Sequence, residues 1–96
     1  MTRDEILRRI RAEKPELTRL GVRSLALFGS VARDAATPAS DVDLLVEFAE
    51  PVGLFGFLRV KQHLEGILGL NVDLVTRDAL KPQLRDAILK EAVPAA

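Results

Sequence analysis

The sequence predicts a small α/β (α+β) domain, a mixed β-sheet with helices packed on one of its faces. Three observations predict it. Short apolar runs of strand length alternate with longer amphipathic segments of helical period. In a chain of 96 residues, 48% hydrophobic content supplies one core, and 29% charged residues argue for a globular rather than a disordered chain. Two of the strand-like runs carry aspartates at alternate positions, so that one face is apolar and the other acidic.

The elements follow in order. Thr2-Arg-Asp-Glu5 reads as a capping box, with Thr2 as N-cap and Glu5 reaching back. Ile6, Leu7 and Ile10 then form a helical stripe, with Arg8, Arg9 and Arg11 toward solvent. Pro15 interrupts or restarts this helix, which ends near Leu20 with Gly21 as its C-cap. Val22 to Phe28 is a buried strand, Gly29-Ser30 breaks it, and SVARDA forms a helical turn. Ala35 to Ala39 reads as a loop and Asp41 to Phe48 as the second strand. After the turn Glu50-Pro51-Val52-Gly53 comes a helix from Leu54 to Leu68, its inner face Leu54, Phe57, Leu64, Ile67 and Leu68, ended by Gly69. Asn71 to Thr76 is the third strand. The last helix carries Pro82 in its first turn and runs to about Val93. Residues 1–96 are therefore expected to form a single domain.

Composition narrows the chemistry. Lys plus Arg number 14 and Asp plus Glu number 14, a formal balance that argues against direct nucleic-acid or membrane binding by bulk charge. With no cysteine and one histidine, disulfides, thiolate sites and histidine-rich metal sites are excluded. No apolar run approaches the roughly 20 residues that span a bilayer, and the first residues are charged rather than signal-like, so a cytoplasmic location is expected.

The acidic face is where chemistry concentrates. Strand alternation points Asp41 and Asp43 one way, about 7 Å apart, and Val42, Leu44 and Val46 the other. Asp73 is placed likewise between Val72 and Leu74. If the second and third strands are neighbours, three carboxylates converge, and they repel unless a cation lies between them. Hard oxygen donors alone suit Mg²⁺, and two such ions make a clamp for in-line nucleotidyl displacement. Gly29-Ser30, at a strand-to-helix turn, allows close backbone approach to a phosphate, with amides and the Ser30 hydroxyl as donors.

LFGSVARDAATPASDVDLLVEF resembles the nucleotidyltransferase superfamily typified by DNA polymerase β: Gly-Ser, about ten residues, then Asp-x-Asp between apolar residues. Ser30-x-x-Arg33, Ser40-Asp-x-Asp-Leu-Leu-Val46 and Val72-Asp-Leu-Val75 match, in order, its minimal nucleotidyltransferases, and the resemblance extends to the closing Ile-Leu-Lys-Glu-Ala-Val. It implies that Asp41 and Asp43 bind both metal ions, and that Asp73 completes the site and helps deprotonate the attacking hydroxyl. Gly29, Ser30 and Ser40 would contact the nucleotide, and Arg33 would contact phosphate or orient the carboxylates. It further implies an antitoxin whose partner is a HEPN-type toxin, silenced by AMP units from ATP on a tyrosine. One departure is Asp34, where the family usually has glycine.

Each feature alone has a plainer reading. Alternating acids are often a solvated face, Gly-Ser is usually a turn, and Arg33 and Arg77 are readable as surface arginines. Ser40 is readable as a turn residue, and His63 is assigned no role. The helix from Leu54 to Leu68 carries more apolar positions than one face buries, which fits either a protein interface or deep packing on the sheet. The competing functional reading is a non-catalytic antitoxin that neutralises its partner by contact.

Overall fold

The computed structural model describes residues 1–33 and 41–96. Helix α1 (Arg3–Ala12) starts where Thr2 Oγ1 accepts a hydrogen bond from the Glu5 amide at 3.2 Å, the Thr2 half of the anticipated box. Pro15 divides the helical segment as expected. Because proline lacks an N–H, it is tolerated only in a first turn, and a second helix, α2 (Lys14–Arg19), restarts around it. Gly21 then turns the chain in a left-handed conformation, φ +95°. Ile6, Leu7, Ile10 and Leu17 are buried. Arg9 and Arg11 are exposed, yet Arg11 also donates to the Pro94 carbonyl at 2.8 Å and so ties α1 to the end of the chain.

Strands β1 (Val22–Phe28) and β2 (Val42–Phe48) pair antiparallel, and β3 (Val72–Thr76) adds parallel to β2. A parallel neighbour needs a crossover, which α4 (Leu54–Leu68) supplies. The strand order is β3-β2-β1-β4, where β4 is Val93–Pro94. Leu25, Leu27, Val42, Leu44, Val46, Val72 and Leu74 share one core with α1, α2 and α4 on one face of the sheet. Alternation leaves Ser24, Ala26, Asp43, Leu45 and Asp73 to the other face.

Two expectations need correction. The last helix, α5 (Pro82–Glu91), ends two residues before Val93, and Val93–Pro94 forms a fourth strand, β4, antiparallel to β1 opposite Leu27 and Ala26. An edge position tolerates a proline that cannot donate. Leu54 is not on the inner face of α4: it is 68% exposed, in phase with Phe57 but in a first turn that nothing covers. Val60, Leu64 and Leu68 form the buried stripe, with Phe57 and Ile67 packed beside it. Phe55, at 81%, Leu58 and Val52 are exposed as well, so the surplus apolar surface of this helix is largely uncovered. His63 is half-buried, its Nε2 3.6 Å from Glu13 Oε1.

Candidate active site

Asp43 and Asp73 stand directly opposite each other in the parallel β2–β3 register, flanked by the pairs Val42–Val72 and Leu44–Leu74. The flanking residues are buried, which commits both aspartates to the opposite face of the sheet. Asp41, immediately before β2, is exposed, as is Asp73, whereas Asp43 is half-buried. The neighbour relation that sequence alone left conditional is therefore present.

The electrostatics of the site follows from this register. Burial pushes the Asp43 carboxyl above the usual aspartate range, and the charges of Asp73 and then Asp41 push it further, as does a hydrogen bond with Asp73. The Arg33 guanidinium opposes them. Without a cation this is a crowded acidic cluster. Among the described residues no three acid or imidazole groups close into a finished metal cage, so a cation would have to draw the carboxylates inward. The donor set itself, three hard carboxylates one of which is desolvated, fits Mg²⁺.

A stability consequence follows from the direction of that shift. A carboxyl whose folded pKa is raised favours the folded state while protonated, and that contribution is lost as pH rises through the folded pKa. Asp43→Asn is never ionised and escapes the loss. In a chelator-containing buffer, the variant is expected to melt above the wild type at about pH 7.5, and the gap should close toward about pH 4. Thermal melts across that range check it; parallel curves would mean Asp43 feels no such repulsion.

Gly29 serves this cluster in a way the sequence reading did not foresee. It has φ +75°, and a Cβ there would lie 2.1 Å from Asp43 Oδ2. The glycine thus admits a carboxylate from the neighbouring strand, besides any phosphate. Helix α3 (Gly29–Ala32) opens on this residue. Its amide, expected to face a phosphate, donates to Glu91 Oε1 at 3.2 Å. Arg33 Nη1 donates to the same carboxylate, at 3.0 Å to Oε2 and 3.2 Å to Oε1. Glu91, at the end of α5, was not singled out in the sequence beyond its place in the closing segment. Ser30, next in the chain after Gly29, is half-buried. Ser40 and Asp34 lie outside the described residues.

Cavity size does not locate this site. A cavity of about 430 Å³ lies at the far end of β2, lined by residues from Val46 to Val52 with Phe57 and Arg77, and touches none of the three aspartates. A smaller one of about 250 Å³ lies on the aspartate face, between Ser24, Ala26 and Leu45 of the sheet and Leu89 of α5. Arg77 is exposed and lines both.

The family model described as a nucleotidyltransferase domain matches residues 4–94. The chain is 43% identical over 94 residues to a protein adenylyltransferase, MntA, of Thermococcus cleftensis, covering 97% of this chain and 95% of the relative. A solved structure of a candidate minimal nucleotidyltransferase superposes with a TM-score of 0.85 at 41% identity, over 98% of this chain and 96% of the other. A more distant fold match is a chain in the complex of a tri-AMPylated HEPN toxin of Shewanella oneidensis with its MNT antitoxin: TM-score 0.59, 18% identity, 91% and 71% covered.

Proposed function

The chain belongs to the nucleotidyltransferase domain family, and from that premise we propose that it is a protein adenylyltransferase: it moves AMP from ATP onto a hydroxyl of a HEPN-type toxin, a tyrosine, and so acts as an antitoxin. The observation that carries the reading is the in-register pair Asp43–Asp73, with Asp41 beside it, at the mouth of the Gly29-Ser30 turn. Transfer of AMP in particular is supported by the adenylyltransferase relative at 43% identity. The partner is supported by the antitoxin–toxin fold match and by the uncovered apolar surface at Val52, Leu54, Phe55 and Leu58.

Asp41 and Asp43 would hold two Mg²⁺ ions, with Asp73 completing the set. When bound, the ions neutralise charge on the phosphates and on the attacking and leaving oxygens. The rest falls to the chain. Ser30 and the amides that follow Gly29 in the turn would hold the β- and γ-phosphates, with the guanidinium of Arg33 and the Ser40 hydroxyl as further donors. That hold fixes the α-phosphorus against the aspartates. Asp73 takes the proton of the acceptor hydroxyl. The hydroxyl oxygen bonds to the α-phosphorus, the bond to the bridging oxygen of the β-phosphate breaks, and pyrophosphate leaves. Positioning and charge compensation do most of the work.

Among the described residues no helix is long and apolar enough to cross a membrane; the cytoplasmic location belongs to the proposal because the reaction draws on ATP and Mg²⁺. The test is intact-mass spectrometry of the HEPN-type partner after incubation with this chain, ATP and Mg²⁺. Mass steps of one AMP are the expected result. An unmodified partner that is nonetheless bound and inhibited would replace this reading with neutralisation by contact.

A further inference from the structure

Glu91 makes a contact that a phosphate site does not need and an acidic cluster does. Its carboxylate takes the Gly29 amide and Arg33 Nη1 together, from an element 62 residues along the chain. Gly29 lies against Asp43, a Cβ there falling 2.1 Å from Asp43 Oδ2. Arg33, held on the same Glu91 carboxylate as the Gly29 amide, is thus kept near the aspartates, where its charge opposes the repulsion from Asp73 and Asp41. A guanidinium so placed has two acidic destinations. Seated on the aspartates, it would fill the space a divalent cation needs, since one bidentate arginine–carboxylate pair satisfies both oxygens of a carboxylate. Seated on Glu91, it stays near the aspartates without occupying them. Only Nη1 meets Glu91 in the structure, which leaves the other donors of the fork for a second anion.

We propose that Glu91 is a positioning residue of the nucleotidyl-transfer site: it anchors Arg33 and the Gly29 backbone to α5, keeping the guanidinium beside the aspartates and off them, so that the carboxylates remain open to divalent cations. This inference rests on the reading of Asp41, Asp43 and Asp73 as metal ligands. It differs from a purely structural role for Glu91, which would predict lost stability and nothing specific about cations. The ion pair is partly exposed, with side-chain accessibilities of 55% for Arg33 and 30% for Glu91, so its contribution to stability is small. Its effect should fall on the site.

The test is Mn²⁺ binding followed by loss of the free-ion electron paramagnetic resonance signal, in wild type, Glu91→Ala, Glu91→Gln, Arg33→Ala and the double variant Arg33→Ala/Glu91→Ala. Circular dichroism melts run alongside. Glu91→Ala is expected to weaken Mn²⁺ binding about fivefold, the scale of one partly exposed ion pair. Glu91→Gln still accepts from the Gly29 amide but cannot hold the guanidinium by charge. It should melt like wild type and bind Mn²⁺ like Glu91→Ala. In the double variant no guanidinium is left to fall onto the aspartates, so binding should return to the Arg33→Ala level. The proposal is overturned if Glu91→Ala binds Mn²⁺ as wild type does, or if the double variant binds as weakly as Glu91→Ala. A wild type that binds no Mn²⁺ at all, with or without ATP, would instead bring down the metal-site reading itself.

Discussion

Asp41→Asn combined with Asp43→Asn is expected to abolish nucleotidyl transfer, by at least about 10³-fold, while leaving the fold intact. The size follows from the two cations that the proposed reaction assigns to the carboxylates. Metal-ion stabilisation of the transition state is worth several kcal/mol, and each 1.4 kcal/mol or so is a factor of ten in rate. Fold retention follows from position. Asp41 is exposed and Asp43 half-buried on the face away from the core. Asp43 is also ionised at a disadvantage, so removing its charge relieves the folded state. The measurement is the rate of AMP incorporation together with a thermal melt. A cooperative melt with no incorporation supports the assignment; a collapsed melt would make the acids structural, and retained transfer would remove them from the chemistry. The same variant separates catalysis from partner binding, because the exposed surface around Phe55 is untouched.

Gly29→Ala should be nearly as damaging to activity, for a geometric reason. A left-handed backbone costs a residue with a Cβ about 1–2 kcal/mol, and the new methyl would stand 2.1 Å from Asp43 Oδ2. One of the two must move, and Asp43 is the side chain free to do so. Displacing a reactive group by about 1 Å can cost about 10²-fold, and that loss of transfer is expected here. Gly69→Ala is the control. Its φ of +66° imposes the same backbone strain, but nothing lies within 4 Å of its Cβ position. Gly69→Ala should lose similar stability and keep full transfer. If both variants transfer AMP equally well, close approach of Asp43 to the turn has no part in the site.

The features legible in the sequence were those with local causes. Strand alternation sorted Asp41, Asp43 and Asp73 from their buried neighbours, and the second and third strands indeed place Asp43 against Asp73. Pro15 and Gly69 marked breaks because their backbone constraints act where they stand. Features that depend on a return of the chain were hidden. Glu91 belongs to the site only because α5 brings it back against Gly29. The second duty of Gly29 is invisible until Asp43 is known to face it across the β1–β2 pair. Strand β4 has two residues, too few for a period. Leu54 satisfies a helical wheel, which reports phase and not whether anything covers that turn.

The long-range closure of the site also bears on when the protein becomes competent during synthesis. A nascent chain that has emerged only as far as α4 holds Asp41 and Asp43 but neither Asp73 nor Glu91. The crossover to β3 and the return of Val93–Pro94 to β1 are non-local pairings, which form late because loop closure precedes any gain from contact. Partial chains that stop before β3 therefore lack the acid pair, and those that stop before the end of α5 lack the arginine anchor. The site closes in stages along the chain, the acid pair with β3 and the arginine anchor only with α5.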